Sequence, residues 1–288
     1  MIGIAFVLPS TLVLLLMMVF PVLQTFIFSF SNIELPYFEL SFAGFDNYIK
    51  AFSRPEVPLI IKNTIIWTVF FVLMRTSLGL ASALVMNAKV KGILVLRLLA
   101  LLPWTVPSIV SANVWRWILQ SDFGVINGTL RVFGLDKFAL LWLGSTTTAL
   151  PSVLTAITWV GYPFVMMVLL SAMQDLPKEL YEAAEIDGAN GFNLFRYITL
   201  PGIKPVLFVV FALELMNAIN TFDMIFIMTG GGPGGVTEIF SLFIYRLAFL
   251  NLDFASGSAV SSVLIIVTLL GFCLFGPVQR SIKKKEEY

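Results

Sequence analysis

Glu214, Asn217, Asn220 and Thr221 recur at helical spacing inside FALELMNAINTFDM, a segment otherwise apolar. Residues three and four apart share a face, so the four make one polar stripe on one helix. A carboxylate at mid-bilayer depth costs roughly 2.5 to 3.5 kcal/mol on insertion scales, so it faces a cavity or pairs with a cation. Carboxylate, amide and hydroxyl together offer mixed hydrogen-bond donors and acceptors, which is binding chemistry for a polyhydroxylated solute. Trp159, Tyr162 and Phe164, with Gly161 among them, add flat apolar faces of the kind that pack on a sugar ring. The competing reading is hydrogen bonding between helices for the amides and lipid or helix packing for the aromatics.

Covalent chemistry finds few tools. The chain holds no His and one Cys, Cys273, inside an apolar run, so zinc, haem and disulfide chemistry lose their usual ligands. Cys273 reads as a small buried hydrophobe. No G-x-x-x-x-G-K-[ST] phosphate loop occurs, so the usual cradle for ATP is not encoded here. Arg75 has two readings, a partner for Glu214 or part of a path for an acidic solute. Arg116, between Trp115 and Trp117, reads as an anchor at the membrane surface.

The elements that must position these groups are membrane helices. Hydrophobic residues make up 58% of the chain, charged ones 12%, and mean hydropathy is +0.93, outside the range of water-soluble domains. The formal net charge of +1 gives no global field toward nucleic acid. Stretches at about 4–30, 60–86, 98–119, 149–173, 205–228 and 256–276 are long enough to span a bilayer. An even number of crossings puts both termini on one side. The first stretch lacks the charged leader and cleavage site of a signal peptide and is expected to stay as a helix.

Basic residues orient the chain. Lys89, Lys91, Arg97, Lys178, Arg196, Lys204, Arg280, Lys283, Lys284 and Lys285 fall on the side of the termini, against Lys50, Arg54, Lys62, Arg131, Lys137 and Arg246 on the other. The bias makes the termini cytoplasmic. Connectors at 31–57 and 121–148 and the TGGGPGG run at 229–235 then lie outside, the last as a hinge or a flexible turn.

Between the fourth and fifth stretches lies LPKELYEAAEIDGANGFNLFRYITLP. Asp175 is expected to cap a helix with Pro177 in its first turn, Leu180, Ala183 and Ala184 on one face, and Gly188 at its end. Glu179, Glu182, Glu185 and Asp187 stay solvated around the rim. Such a small apolar face fits a groove on another protein, whereas composition alone reads as a solvated connector. A second helix near Asn193–Ile198 is expected to turn Phe192 and Phe195 toward the membrane base and to end at Leu200-Pro201.

The spacing Glu182-Ala183-Ala184, three residues, Gly188, nine residues, then Ile198-x-Leu200-Pro201 resembles the EAA loop of ABC importer permeases. NTIIWTVFF at 63, GLASALVMN at 79, LLPWTVPSIVSANVWRW at 101, GYP at 161, TGGGP at 229 and YRLAFLNLDFASGSA at 245 are similar to the carbohydrate-type permeases, over about residues 1–280. The chain departs from them in lacking a basic leader before its first span, which leaves the N-terminal boundary open.

The resemblance implies an all-α polytopic membrane protein of the type I ABC importer permease fold, with six transmembrane helices and cytoplasmic coupling helices. Residues 1–280 would form one permease domain with the coupling loop at 175–201, and 281–288 a cytoplasmic tail. It implies a second homologous permease, two copies of an ATPase that hold ATP and Mg, and an extracytoplasmic solute-binding protein. The expected function is import of a sugar or sugar-like solute across an inner membrane, with no covalent chemistry. Glu182, Ala183, Ala184, Asp187, Gly188, Ile198, Leu200 and Pro201 would couple to the ATPase, and Glu214, Asn217, Asn220, Thr221, Trp159, Gly161 and Tyr162 would line the substrate path. A secondary transporter working alone would need coupling-ion carboxylates and repeated halves, neither of which is evident. An intramembrane enzyme would need a nucleophile and base that are not evident either.

Overall fold

The computed structural model describes residues 2–34, 36–88 and 91–286, with the backbone alone for 2–5, 272 and 274–286. Lys89 of the basic loop and the last two residues of the tail lie outside the described residues. In chain order the elements are α1 (Ile2–Ser29), β1 (Ser31–Glu34), β2 (Glu39–Phe42), α2 (Asp46–Phe52), α3 (Val57–Met86), α4 (Ile93–Thr105), α5 (Ser108–Ile118), α6 (Val125–Val132), α7 (Ala149–Gln174), α8 (Lys178–Ile186), α9 (Gly191–Leu194), α10 (Leu200–Asn220), α11 (Asp223–Met228), α12 (Phe240–Tyr245) and α13 (Phe254–Glu286). Among the described residues five helices are long and apolar enough to cross a membrane, and α4 with α5, bent by 95°, would make a sixth if the pair is one span. The fold is therefore an all-α, multi-pass one, as the hydropathy predicts.

Three expected boundaries shift, each for a backbone reason. The expected continuous helix over 98–119 breaks at Val106-Pro107, where Val106 is extended at φ −83°, ψ 127°. Proline drives the residue before it out of the helical region and offers no N–H of its own. The expected span over 205–228 stops at Asn220, because Thr221 turns extended at ψ 127°. The Thr221 hydroxyl then donates to the Asn217 carbonyl at 2.7 Å, a side-chain bond to the last turn of the helix. Leu200-Pro201, expected to end a helix, instead open α10. Residues Phe195–Thr199 form a π-type turn just before the proline, and this wider turn carries the helix through without the usual clash.

Residues 1–61 with 239–270 form one compact unit. Its core packs Ala51, Val57, Ile60, Phe243, Leu247 and Val260. The short β1–β2 hairpin pairs antiparallel, Ser31 opposite Phe42. Tyr48 on α2 hydrogen-bonds the hydroxyls of Ser29 at 2.8 Å and Ser262 at 2.9 Å, tying α2 to α1 and α13. Asp253, which precedes α13, meets Lys50 Nζ at 2.9 Å and Arg54 Nη2 at 3.2 Å. Burial alone would raise the Asp253 carboxyl, but hydrogen bonds from Lys50 and Ser256 outweigh it and hold the group below its ordinary range. Along α1 no residue of the apolar window is buried, so this helix offers its side chains to lipid or to another protein.

Residues 62–238 with 271–288 form the second unit. Its core lies where α3, α7 and α10 meet, around Ala83, Val165, Met166, Leu169, Met173, Ile203 and Val210. Fully buried Trp67 donates from Nε1 to the Ala218 carbonyl at 3.2 Å, fixing α3 against the end of α10. Cys273, expected to be buried, is exposed, since on a membrane helix lipid covers an apolar side chain as well as a protein core does.

Candidate functional site

The bend between α4 and α5 opens a cavity of about 380 Å³ in the second unit, within the roughly 300–1,000 Å³ usual for small-molecule sites. Trp104, Thr105 and Ser108 come from the bend, Gly161 and Phe164 from α7, Glu214 and Asn217 from α10, and Arg75 from α3. Arg75 is the centrepiece. Its Nη1 donates to Glu214 Oε2 at 3.0 Å, and Nε and Nη2 both donate to the Ile157 carbonyl, at 3.2 and 3.0 Å. The guanidinium carbon also stands 4.2 Å from the centre of the Phe71 ring. A Cβ on Gly161 would collide with the guanidinium. Only glycine lets α7 pass that close.

Glu214, 1% exposed, spends one oxygen on Arg75 and accepts Asn217 Nδ2 on the other at 3.3 Å. A buried carboxylate without such partners would be far too costly. The pair is formally neutral, so of the two readings of Arg75 the geometry selects the pairing one. The polar residues of the cavity wall are thus the ion pair, Asn217, Thr105 and Ser108; the Thr105 hydroxyl donates to the Leu102 carbonyl at 2.8 Å and the Ser108 hydroxyl to Asp223 Oδ2 at 3.1 Å, so toward a solute both can still accept.

The expected stripe is brought together only in part. Glu214, Asn217 and Gly161 reach the cavity. Asn220 and Thr221 lie beyond its wall and bond back to their own helix, at the Met216 and Asn217 carbonyls. Trp159 is 41% exposed and meets Trp115 edge to face at 5.7 Å, while the Tyr162 hydroxyl points to the Ala100 carbonyl at 3.4 Å. Trp104, Thr105 and Ser108 were not expected in the site. The signal that could have found them is WTVPS, a proline break inside an apolar run flanked by hydroxyls.

The loop after α7 presents a separate surface. Asp175 does not cap a helix there: it closes α7, and α8 starts after Pro177 with no side-chain cap. Gly188 does end α8, at φ +79°. Its N–H bonds the Glu185 carbonyl at 3.0 Å and the Ala189 N–H bonds the Ala184 carbonyl at 2.9 Å, the paired closure that a left-handed residue makes possible. Tyr181 ties α8 back, its hydroxyl 2.9 Å from Thr199 Oγ1. Leu180, Ile186 and Phe192 are 51%, 87% and 67% exposed, and Glu182, Ala183 and Asp187 are exposed beside them. Phe192 is exposed, whereas Phe195 is half-buried.

The TGGGPGG run is fastened rather than loose. Thr229 and Thr237 hydroxyls lie 2.8 Å apart, Thr237 bonds the Gly232 carbonyl at 2.9 Å, and Asn63 of α3 donates to the Gly235 and Glu238 carbonyls at 2.8 and 3.1 Å. Arg116 is exposed, its Nη1 3.5 Å from the Ile227 carbonyl.

Comparisons with known proteins agree on one kind of molecule. The family described as binding-protein-dependent transport system inner membrane component matches residues 75–285. The trehalose/maltose transport system permease protein MalF of Thermococcus litoralis is 37% identical over 94% of this chain and 91% of its own. The sulfoquinovosyl glycerol transport system permease protein SmoG of Agrobacterium fabrum is 30% identical over 96% and 89%. Among solved structures, a chain of a bacterial ABC transporter involved in import of the acidic polysaccharide alginate superposes with a TM-score of 0.86 at 23% identity, covering 96% of this chain and 94% of that one.

Proposed function

The chain belongs to the family of binding-protein-dependent transport system inner membrane components, and we propose that as an ABC importer permease it carries a neutral sugar through the Arg75–Glu214 cavity. It is a transport subunit and not an enzyme. The observation that carries the sugar reading is the cavity wall, where a self-neutralised ion pair, the Asn217 amide and the hydroxyl-bearing Thr105 and Ser108 share the lining with Trp104 and Phe164. Mixed donors and acceptors beside flat rings suit a pyranose. The two sugar-type relatives, 37% and 30% identical, support the same class. A secondary transporter working alone finds no support in them.

In this reading residues 1–280 act as one translocating domain with a cytoplasmic tail at 281–288, and both termini are cytoplasmic. Glu182, Ala183, Ala184, Asp187, Gly188, Ile198, Leu200 and Pro201 belong to the coupling loop that docks on a separate ATPase, where ATP and Mg bind. The exposed apolar side chains on α8 support that role. A second permease, two ATPase copies and an extracytoplasmic binding protein complete the importer in the cell's inner membrane. ATP-driven closure of the ATPase pair pulls on α8 and shifts the balance between inward and outward access. Asn217 meets the solute directly, with Glu214 positioned by Arg75 and Gly161 on the same wall, whereas Asn220, Thr221, Trp159 and Tyr162 stand off that wall.

The test is uptake of maltose, trehalose and glucose by the complete importer in proteoliposomes. ATP-dependent uptake of at least one, lost without the ATPase, is expected. Uptake that persists without any ATPase would sink the importer reading.

A further inference from the structure

The second unit holds another cavity, of about 210 Å³, at the far end of α5. Trp115 from α5 and Leu119 just after that helix line it with Pro151, Ser152 and Thr155 from the start of α7 and with Trp142. At the opposite end of the same helix pair, Ser108 of α5 meets Val160, Gly161 and Phe164 of α7 across the Arg75 cavity. The two helices therefore run antiparallel along one seam, with a cavity at each end.

Between the cavities sit Ser111 and Thr158. Ser111 is three residues after Ser108 and four before Trp115, and Thr158 is three after Thr155 and three before Gly161, so both lie on the helix faces that form the two cavities. They are 2% and 4% exposed, and neither hydroxyl has a hydrogen-bond partner among the described residues. Buried hydroxyls are almost always hydrogen-bonded, and one that is not asks for a ligand or water. The Trp142 indole is held by its Nε1 bond to Asn127 Oδ1 at 2.8 Å, so the ring is pre-set before any ligand arrives.

We propose that the outer cavity is a second saccharide subsite, which takes one neutral pyranose ring against Trp115 and Trp142 before the solute reaches the Arg75 cavity. The size fits: about 210 Å³ is below the roughly 300–1,000 Å³ of sites for drug-sized ligands, which leaves room for a single ring. The chemistry fits too, since indoles and hydroxyls line the cavity and no charged residue does. This inference rests on the sugar-import reading and extends it outward.

The experiment uses the complete importer with Cys273→Ala in this chain and one new cysteine, Thr155→Cys in the cavity or Asp136→Cys outside it. Glucose and maltose should slow modification of Thr155→Cys by a membrane-impermeant thiol reagent at least threefold and leave Asp136→Cys unchanged. Adding Trp115→Ala should abolish that protection and Trp115→Phe should keep most of it. Equal modification rates with and without sugar would overturn the subsite, as would protection that survives Trp115→Ala or is matched by glucuronate. Uptake by the same Thr155→Cys importer is followed alongside. Sugar uptake without protection removes the subsite alone, whereas absence of uptake for every neutral sugar tried removes the import reading and the subsite with it.

Discussion

Arg75 and Glu214 lie on helices 139 positions apart in sequence, yet they join at 3.0 Å, with 10% and 1% of their side chains exposed. The same guanidinium grips the Ile157 carbonyl, so one side chain staples α3, α7 and α10 around the cavity. Breaking a buried pair by removing one charge costs about 3–5 kcal/mol, because the other is left without compensation. Glu214→Gln should accordingly lower the yield and thermal stability of the purified subunit, and Arg75→Met in the same chain should restore part of it. A Glu214→Gln protein as stable as wild type would remove the staple.

Gly161→Ala makes an independent test of the same node. A methyl group there collides with the Arg75 guanidinium, so the substitution should destabilise by about 1–3 kcal/mol, the usual range for overpacking. Adding Arg75→Met should recover most of the loss. If Gly161→Ala behaves alike with and without Arg75, the close approach has no energetic weight.

Much of this architecture was legible in advance, and the places where it was not share a cause. Long apolar runs fixed α1, α3, α7 and α13 because length and hydropathy are local properties, and Gly188 announced its turn because a left-handed closure needs it. The bend at Val106-Pro107 was missed, although the proline was visible, because prolines within membrane helices often leave them continuous. Pro163 and Pro205 do so here, inside α7 and α10. The pairing of Arg75 with Glu214 was one of two open readings because each residue has several possible neighbours in sequence and only packing selects one. Thr221 fell outside the cavity because it turns extended and ends the helix, and Asn220, the last residue of α10, bonds back to the Met216 carbonyl, neither of which the spacing of the stripe reveals.

At the coupling loop the expected outcome is loss of function without loss of fold. Gly188 holds φ +79° with nothing within 4 Å of the place a methyl group would take, so a side chain there strains the turn and does not collide. Gly188→Asp should cost about 1 kcal/mol locally, leave insertion intact, and cut sugar uptake at least tenfold while ATP hydrolysis ignores the loaded binding protein. Wild-type uptake in this variant would remove the docking role of α8.

Orientation has a direct measure. Asn190 and Asp136 are both exposed, and the basic-residue bias puts them on opposite sides of the membrane. With Cys273→Ala, Asn190→Cys should react with an impermeant reagent only from the cytoplasmic face and Asp136→Cys only from the other. Reaction of both from one face would overturn the topology.

Acid should loosen the first unit through Asp253. Its carboxyl titrates below the ordinary range because Lys50 and Ser256 bond its charged form. A depressed value means the stabilisation is complete above the unfolded-state value, about pH 4, and is lost as pH falls through the folded one. With Lys50 61% exposed, the effect is on the order of 1 kcal/mol or less. Asp253→Asn should lower stability at pH 7 and flatten its decline on acidification. An Asp253→Asn curve parallel to wild type from pH 7 to 3 would show that the bonds contribute nothing.

Asn217 is the residue on which the solute path turns. It is exposed at the cavity wall, and its amide reaches Glu214 Oε1 at only 3.3 Å, a long bond that a sugar hydroxyl can replace without leaving the carboxylate unpaired. Asn220, by contrast, donates to the Met216 carbonyl at 2.9 Å and has no place on that wall. Asn217→Ala should therefore reduce sugar uptake about tenfold, the equivalent of one hydrogen bond to a partly buried group at roughly 1.4 kcal/mol, and spare basal ATP hydrolysis and complex assembly. Asn220→Ala should change uptake less than twofold. The two side chains sit one turn apart on the same helix, so a general effect on packing would weaken both variants alike. Equal losses, or a larger loss in Asn220→Ala, would move the path away from the Arg75 cavity and toward the partner permease.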